Sequence, residues 1–386
     1  MRVLHVSAGN LYGGVETVLV TFARGRALCP TVRHEFALCY AGRAEDELRA
    51  AGATVHRLAE VRVRWPLTIP RARRALRGLI ERRGINAVIC HSAWPQAIFG
   101  PAPRAAGAAS VFWLHDVIAG RHWLERWAAR AVPDLAICNS RFTAATLPLI
   151  YPRVPWEVCY TPVAAPPYSS QADREAVRAE LETAADAVVV IQVSRMEEWK
   201  GHRLHLNALA RLKSVPGWTC WIVGGAQRPH EVRYLEGLRA EAAALGIDSR
   251  VRFLGQRDDV SRLLAAADIH CQPNTGPEPF GITFIEALYA GLPVVTTAIG
   301  GALEIVDGSC GMLVQPKDPA TLAVALGELI ENCELRARLG AAGPARAAAL
   351  CDPGRQMARL DEVLARFTSS PHTTLVTGQC INNGAP

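Results

Sequence analysis

Short apolar runs alternate along the chain with amphipathic stretches of helical period. In the first half, residues 3–7, 35–39, 87–90, 110–114 and 135–138 are mainly apolar, the pattern of parallel strands covered on both faces. Between them, 17–27, 45–51, 69–83 and 123–131 carry apolar positions at helical spacing. The alternation breaks and then restarts, with strands expected at 187–193, 219–223, 251–254, 269–271, 294–296 and 312–314. Repeated strand–helix units of this kind predict an α/β protein with two doubly wound parallel sheets. The break spans 151–170, where Pro152, Pro155, Pro162, Pro166 and Pro167 exclude a regular helix. The expected organisation is an N-terminal domain, 1–165, and a second domain, 166–352. A terminal helix, 353–367, is expected to return to the first domain, followed by a disordered tail, 368–386.

A chain of 386 residues, half of them apolar, is long enough for two real cores. No run of about 18 uncharged apolar residues is present, which argues against a transmembrane helix. The opening Met-Arg-Val-Leu-His-Val-Ser reads as a strand, not a signal peptide. Eleven scattered cysteines, with no Cys-x-x-Cys pair, point to buried reduced thiols and a cytoplasmic protein. The net charge of +6 conceals an asymmetry. Residues 1–165 hold 21 Arg, no Lys and 11 acidic residues, while the remainder is net acidic. The densest basic stretch, 62–83, fits peripheral contact with an anionic membrane, and fits equally a solvated helix face. It carries no recognised nucleic-acid motif, so nucleic acid is not an expected partner.

In open parallel sheets ligands bind at the carboxyl ends of strands, and four loops there carry chemistry. The first, residues 8–15, holds Gly13 and Gly14 before a helix, where backbone can approach an anion closely; a tight turn explains it as well. The second places His115 at the end of a strand, able to meet a hydroxyl or simply to bond a loop carbonyl. The third carries Arg195 and Lys200, two cations that can converge on one diphosphate. The fourth is the most specific. It runs from Pro273 to Leu288 and places Glu278 beside the helix start at Phe280, Gly281 and Ile282, with Glu286 further along that helix among apolar neighbours.

These residues resemble the retaining family-4 glycosyltransferases of the GT-B fold. The resemblance rests on Glu278 and Glu286 with seven residues between them, and on Arg195 with Lys200-Gly201. It extends through Val251 to Gly255, Ala267-Asp268, Ala290 to Val295, Gly300 to Glu304 and Gly311 to Val314. The amino half matches more loosely, through Gly13 to Glu16, His115-Asp116 and Asn139-Ser140. The resemblance implies two Rossmann-like domains facing across an interdomain cleft, and transfer of a hexose-type sugar from a nucleotide-diphosphate sugar to a glycan or lipid-linked acceptor.

It implies roles as well. Arg195 and Lys200 would hold the diphosphate, and Glu278 the hydroxyls of the donor sugar, helped by backbone N–H groups of Phe280, Gly281 and Ile282. Glu286 would take the ribose hydroxyls. Gly13 and Gly14 would close over the phosphates, and His115 would contact the transferred sugar or the incoming hydroxyl. No metal or other cofactor is expected, since the cations do a divalent ion's work. The loop at Gly255, Gln256 and Arg257 is expected beside the base. Ser194 and Pro279 depart from the family's frequent glycines. Two alternatives stay open: a sugar-nucleotide 2-epimerase, and a catalytically silent nucleotide-sugar-binding protein.

Overall fold

The computed structural model describes residues 1–10, 13–167 and 170–369. They form two compact units. The first is Met1–Cys159 together with the described chain from Pro353 onward; the second is Tyr160–Asp352.

The first unit is built on β1 (Arg2–Ser7), β2 (Arg33–Leu38), β3 (Thr54–Arg57), β4 (Ala87–His91), β5 (Ala109–Leu114), β6 (Leu135–Cys138) and β7 (Trp156–Val158). All pair in parallel, in the order β3-β2-β1-β4-β5-β6-β7. The apolar runs became the central strands because burial on both faces leaves no polar alternation to read. The two outermost strands, β3 and β7, were not expected. One is only partly buried along its length and the other lies beside Pro155, in keeping with the edge positions to which Pro is confined. One face is covered by the helices Gly14–Arg24 and Pro353–Ser369, whose Val18, Leu19, Phe22, Met357, Leu360 and Leu364 pack on Val3, Phe36, Ile89 and Trp113. The terminal helix thus runs past 367 into the stretch expected as tail; residues 370–386 lie outside the described residues.

The second unit has β8 (Val188–Val193), β9 (Trp218–Val223), β10 (Val251–Gly255), β11 (Ile269–Gln272), β12 (Val294–Thr297) and β13 (Gly311–Val314). These too are all parallel, in the order β10-β9-β8-β11-β12-β13. Each sheet therefore reverses direction once, between β1 and β4 in the first and between β8 and β11 in the second. At such a reversal the flanking loops diverge and leave a crevice outside the strand ends. The Asp268 carboxylate has a structural task. It accepts from Arg174 and Arg178 at 2.6 Å each and from the Val189 N–H at 2.7 Å, pinning the helix Gln171–Glu180 against β8. Among the described residues ten cysteines are unpaired; all but Cys333 are buried. Burial pushes several of these thiols up, Cys39, Cys138 and Cys159 to about 12, so they pack as small apolar groups.

Candidate active site

The loops after β8 and β11 leave the two strands that flank the second sheet's reversal, so they emerge side by side. The first is residues 194–201 and the second residues 273–281. Thr275 N–H stitches them together by donating to the Trp199 carbonyl at 2.8 Å, and Gln192 Nε2 on β8 anchors the first loop by donating to the Lys200 carbonyl at 2.9 Å. Gly201 has φ +75°, and a Cβ there would overlap the Pro273 carbonyl. Only glycine allows so close an approach.

That approach brings Lys200 Nζ to 2.6 Å from Glu278 Oε2. Gln272 Nε2 and Asn274 Nδ2 donate to the same oxygen, each at 3.1 Å. One carboxylate oxygen thus receives three donors, while Oε1 takes no hydrogen bond from any described residue. Glu278 is 9% exposed, so its charge is compensated at one oxygen while the other stays free to accept. Lys200 also lies 4.0 Å from the centroid of the Trp199 ring, a cation–π contact that holds the ammonium in place. Arg195 is half exposed; its guanidinium meets Glu197 at 3.1 Å, and Glu197 in turn accepts from Trp199 Nε1. The third expected element is equally concrete. Gly281 caps the helix Ile282–Tyr289, and the N–H groups of Phe280, Gly281 and Ile282 donate to no carbonyl of the surrounding loops. The Phe280 side chain is core, stacked on Tyr160 at 5.7 Å, so only its backbone is available to a ligand. The 277–280 segment lies flat against Gly300 (φ +68°) and Gly301, whose N–H donates to the Glu278 carbonyl at 2.7 Å.

The carboxyl of Glu286, on the same helix, accepts no hydrogen bond from a described residue. Its carboxyl is partly accessible yet closely walled, and desolvation raises its pKa to about 7. The Arg257 guanidinium, expected near the base, is committed to Asp259 at 2.8 Å and Glu180 at 2.9 Å, which pushes its pKa further up. Ser194 accepts or donates at 3.0 Å to His202 Nε2, a use that glycine at that position would not have.

In the first unit the expected residues gather at the carboxyl ends of β1, β4 and β5. Gly13 and Gly14 open the helix Gly14–Arg24. The Gly13 N–H is already occupied, donating to Glu16 Oε2 at 3.1 Å. Glu16 is buried; desolvation, with a smaller contribution from Asp116, raises its pKa. Residues 11 and 12 of this loop lie outside the described residues. His115 follows β5; its carbonyl accepts from Asn139 Nδ2 at 3.2 Å, and Ser140 caps the helix Arg141–Thr146, so the Asn139-Ser140 pair positions the His115 loop. His115 Nε2 lies 2.9 Å from His91 Nδ1, and burial takes its pKa down to about 3. A hollow of about 490 Å³ among Arg104, Pro133, Tyr151, Arg153 and Phe367 touches none of these groups. Chemistry, not concavity, marks the site.

Residues 173–346 match the family Glycosyl transferases group 1, and residues 12–164 match Glycosyltransferase Family 4. The chain belongs to the group 1, family-4 glycosyltransferases. The lipopolysaccharide core biosynthesis glycosyltransferase LpsE of Rhizobium meliloti is 35% identical over 43% of this chain and 46% of its own length, so this match spans less than half of that relative. A GDP-mannose-dependent alpha-(1-6)-phosphatidylinositol monomannoside mannosyltransferase of Mycolicibacterium smegmatis is 29% identical over 73% of this chain and 78% of its own. Among solved structures, Anabaena HepE in complex with UDP-glucose superposes with a TM-score of 0.84 at 26% identity, covering 95% of this chain and all of that one. The two parallel-sheet, Rossmann-like units are those of the GT-B fold.

Against that family background, three groups stand out that the sequence did not single out: Gln272 and Asn274, which orient Glu278, and Glu197, which holds Arg195. Neutral amides and an acid in an acid-rich loop carry no sequence signature. Only their place at the end of β11, or in the turn after β8, marks them.

Proposed function

We propose that this chain is a retaining, metal-independent glycosyltransferase. It moves a hexose-type sugar from a nucleotide-diphosphate sugar to a hydroxyl of a glycan or lipid-linked acceptor. The observation that carries this reading is the Lys200–Glu278 pair, with three donors on Glu278 Oε2 and Oε1 unbonded among the described residues. A sugar hydroxyl donates to Oε1, while Lys200 and Arg195 face the diphosphate. As the anomeric C–O bond breaks, negative charge grows on the departing phosphate oxygen. Preformed cations lower that barrier, each worth ~3–4 kcal/mol in comparable sites. The acceptor oxygen bonds to the anomeric carbon on the leaving-group face, and its proton passes to the departing diphosphate. Because bond making and bond breaking share that face, configuration is retained without an enzymic nucleophile. His115 meets the transferred sugar or the incoming hydroxyl. Glu286 accepts from the ribose.

The relatives support a nucleotide-sugar donor and differ in its base: HepE is solved with UDP-glucose, and the mycobacterial relative is named for GDP-mannose. Thermal stabilisation by UDP-, GDP-, ADP- and dTDP-sugars in EDTA tests the reading. A clear rise with one base family, undiminished by EDTA, is the expected result. A response that needs added Mg²⁺ or Mn²⁺ rules out the metal-free site, and no response to any of them rules out the donor assignment.

We also propose a cytoplasmic location, with peripheral contact between the first unit and an anionic membrane. No helix among the described residues is long and apolar enough to cross a membrane. Beside the helix Thr68–Arg83, Val63, Trp65 and Leu67 are exposed together with Arg62, Arg64, Arg71, Arg74 and Arg77. Arg73 and Arg83 of the same stretch are structural, tied to the Ala97 and Ile98 carbonyls and to Glu35. Sedimentation with anionic vesicles at low and high salt is the test; absence of binding at low salt removes the proposal.

A further inference from the structure

Four imidazoles form a continuous string across one face of the first sheet. His115 Nε2 meets His91 Nδ1, His91 Nε2 meets His5 Nδ1, and His5 Nε2 meets His34 Nδ1, each at 2.9 Å. The strand register makes this possible. His5 pairs with Phe36 and with Ile89, and His91 pairs with Trp113, so each histidine sits two residues further along its strand than the one before. A shift of two is one pleat period, which keeps all four rings on the same face. Aromatic neighbours clamp them: Trp113 stacks on His91 and His115, and Phe36 stacks on His5.

The string has a polarity because it ends on a carboxylate. His34 Nε2 lies 3.5 Å from Asp361 Oδ1, on the helix Pro353–Ser369. The His34 side chain is 2% exposed and that of Asp361 12%. Neither these two atoms nor Asp361 Oδ2 has a hydrogen-bond partner among the described residues. The nearby Cys29 thiol, pushed up to about 11 by burial and by the Asp361 charge, stays a neutral S–H. At 3.5 Å, outside hydrogen-bond geometry, the carboxylate acts on His34 through its charge and favours the tautomer that turns a proton toward it, Nε2–H with a bare Nδ1. His5 must then donate from Nε2, His91 from Nε2, and His115 from Nε2. In that arrangement every ring holds the same tautomer, set from the far end of the string.

We propose that Asp361 is a positioning residue which, through His34, His5 and His91, fixes His115 as the Nε2–H tautomer and presents its Nδ1 as a hydrogen-bond acceptor at the carboxyl end of β5. His115 Nδ1 takes none of the hydrogen bonds formed among the described residues, so this lone pair faces outward. The consequence for catalysis rests on the reading that His115 meets a substrate hydroxyl: a bare Nδ1 accepts from that hydroxyl, whereas an Nδ1–H would compete with its proton. Burial keeps His5, His91 and His115 uncharged, so the string conveys orientation, not net charge. Asp361 lies beyond residue 346, where the group 1 match ends.

The test is long-range ¹⁵N–¹H correlation on the full chain labelled at its eleven histidines, with His115 assigned from the signals lost in His115→Gln. The expected wild-type result is Nε2–H at His115, His91, His5 and His34. In Asp361→Ala the His115 signals shift toward a mixture of tautomers. Nδ1–H at His115 in the wild type, which is the string running the other way, overturns the proposal. So does an unchanged His115 spectrum in folded Asp361→Ala. Kinetics then separate this proposal from the reading beneath it. If His115 serves a substrate hydroxyl, Asp361→Ala lowers kcat by about tenfold with nucleotide affinity unchanged, the scale usual for groups that orient a site residue from behind. If the tautomers behave as expected while His115→Ala retains full turnover, the positioning stands and the substrate role of His115 falls.

Discussion

The two sheets have the same architecture and place opposite chemistry at corresponding points. Within β1, at the end of β4 and just past β5 the first unit gathers imidazoles that burial keeps neutral. At the ends of β8 and β11 the second unit sets an ammonium against a carboxylate, 2.6 Å apart, with two amides completing the shell. Desolvation explains the division. A neutral imidazole can be taken deep into a sheet face at the cost of one hydrogen-bond partner per nitrogen, whereas a charge needs an opposite charge and further donors before it can be nine-tenths buried. On the proposed reading, the sheet that handles neutral hydroxyls can work without ions, and the sheet that meets a diphosphate cannot.

The sharpest way to break this comparison is to remove the cation. Lys200→Ala is expected to lower turnover at least tenfold and, if Lys200 bears on the departing phosphate as oxyanion-type donors do, by two to three decades, about 3–4 kcal/mol. The fold should survive, since Gln272 and Asn274 still hold Glu278. Near-wild-type turnover in a folded variant would refute the diphosphate assignment. Glu278→Gln probes the other half of the pair and is expected to act more selectively. The three donors on Oε2 will draw the new amide oxygen to that place, so its NH₂ takes the position of Oε1 and an acceptor becomes a donor. Affinity for the sugar nucleotide should fall roughly tenfold or more while affinity for the free nucleotide stays level, measurable by calorimetry. Equal loss for both ligands would mean that Glu278 is only a support for Lys200.

What the sequence revealed and what it hid follow the same physics. Glu278, Glu286, Arg195 and Lys200 could be picked out as candidates because charged groups between buried strands demand a reason. The central strands were legible as apolar runs. The edge strands β3 and β7 were not, being short and only partly buried. Gln272 and Asn274 carry no charge to attract notice. The histidine string was hidden for a stronger reason. His5, His34, His91, His115 and Asp361 are separated by long stretches of chain, and apart from His115 each alone reads as an ordinary core or surface residue. Strand order β2-β1-β4-β5 and the two-residue stagger make them neighbours, and neither is visible in local periodicity. The Gly13 loop taught the converse: glycines suggested an open backbone, yet Glu16 occupies the Gly13 N–H.

The contrast between neutral and charged groups also sets the response to pH. Burial holds His115, His202, His205 and His270 at about 3, with His5 and His91 lowered as well. Below about pH 6.5 the unfolded chain protonates these imidazoles while the folded chain does not. The unfolded state then binds more protons, so stability, full above pH 6.5, drains away as pH falls toward 3. Glu286 has the opposite sign. Its pKa near 7 lies above the ordinary 4.5, so between those values the folded chain binds the extra proton and this group's contribution worsens as pH rises. Melting curves from pH 4 to 8 should show a steep acid loss in the wild type. Glu286→Gln should raise the melting temperature at pH 8 and leave it unchanged at pH 4. Desolvation of the kind inferred for Glu286 is absent if the variant gains nothing at pH 8.

The smallest effect is expected where a histidine of the second unit does work that the first unit's histidines do not. His202 is fully buried and bonded through Nε2 to Ser194 Oγ at 3.0 Å. No string of imidazoles leads from it: its Nδ1 makes no hydrogen bond of normal geometry among the described residues, and the nearby His205 bonds Gln192 Oε1 at 2.8 Å instead. A bond with no onward connection can stabilise the turn after β8 but cannot orient a distant group. Ser194→Ala removes about 1 kcal/mol, a loss of roughly 2–4 °C in melting temperature for a unit of this size, with turnover within about twofold of wild type. If Ser194→Ala instead depressed turnover as Asp361→Ala is expected to do, histidine hydrogen bonding would be tuning both sheets, and the division between a neutral and a charged half would have to be drawn elsewhere.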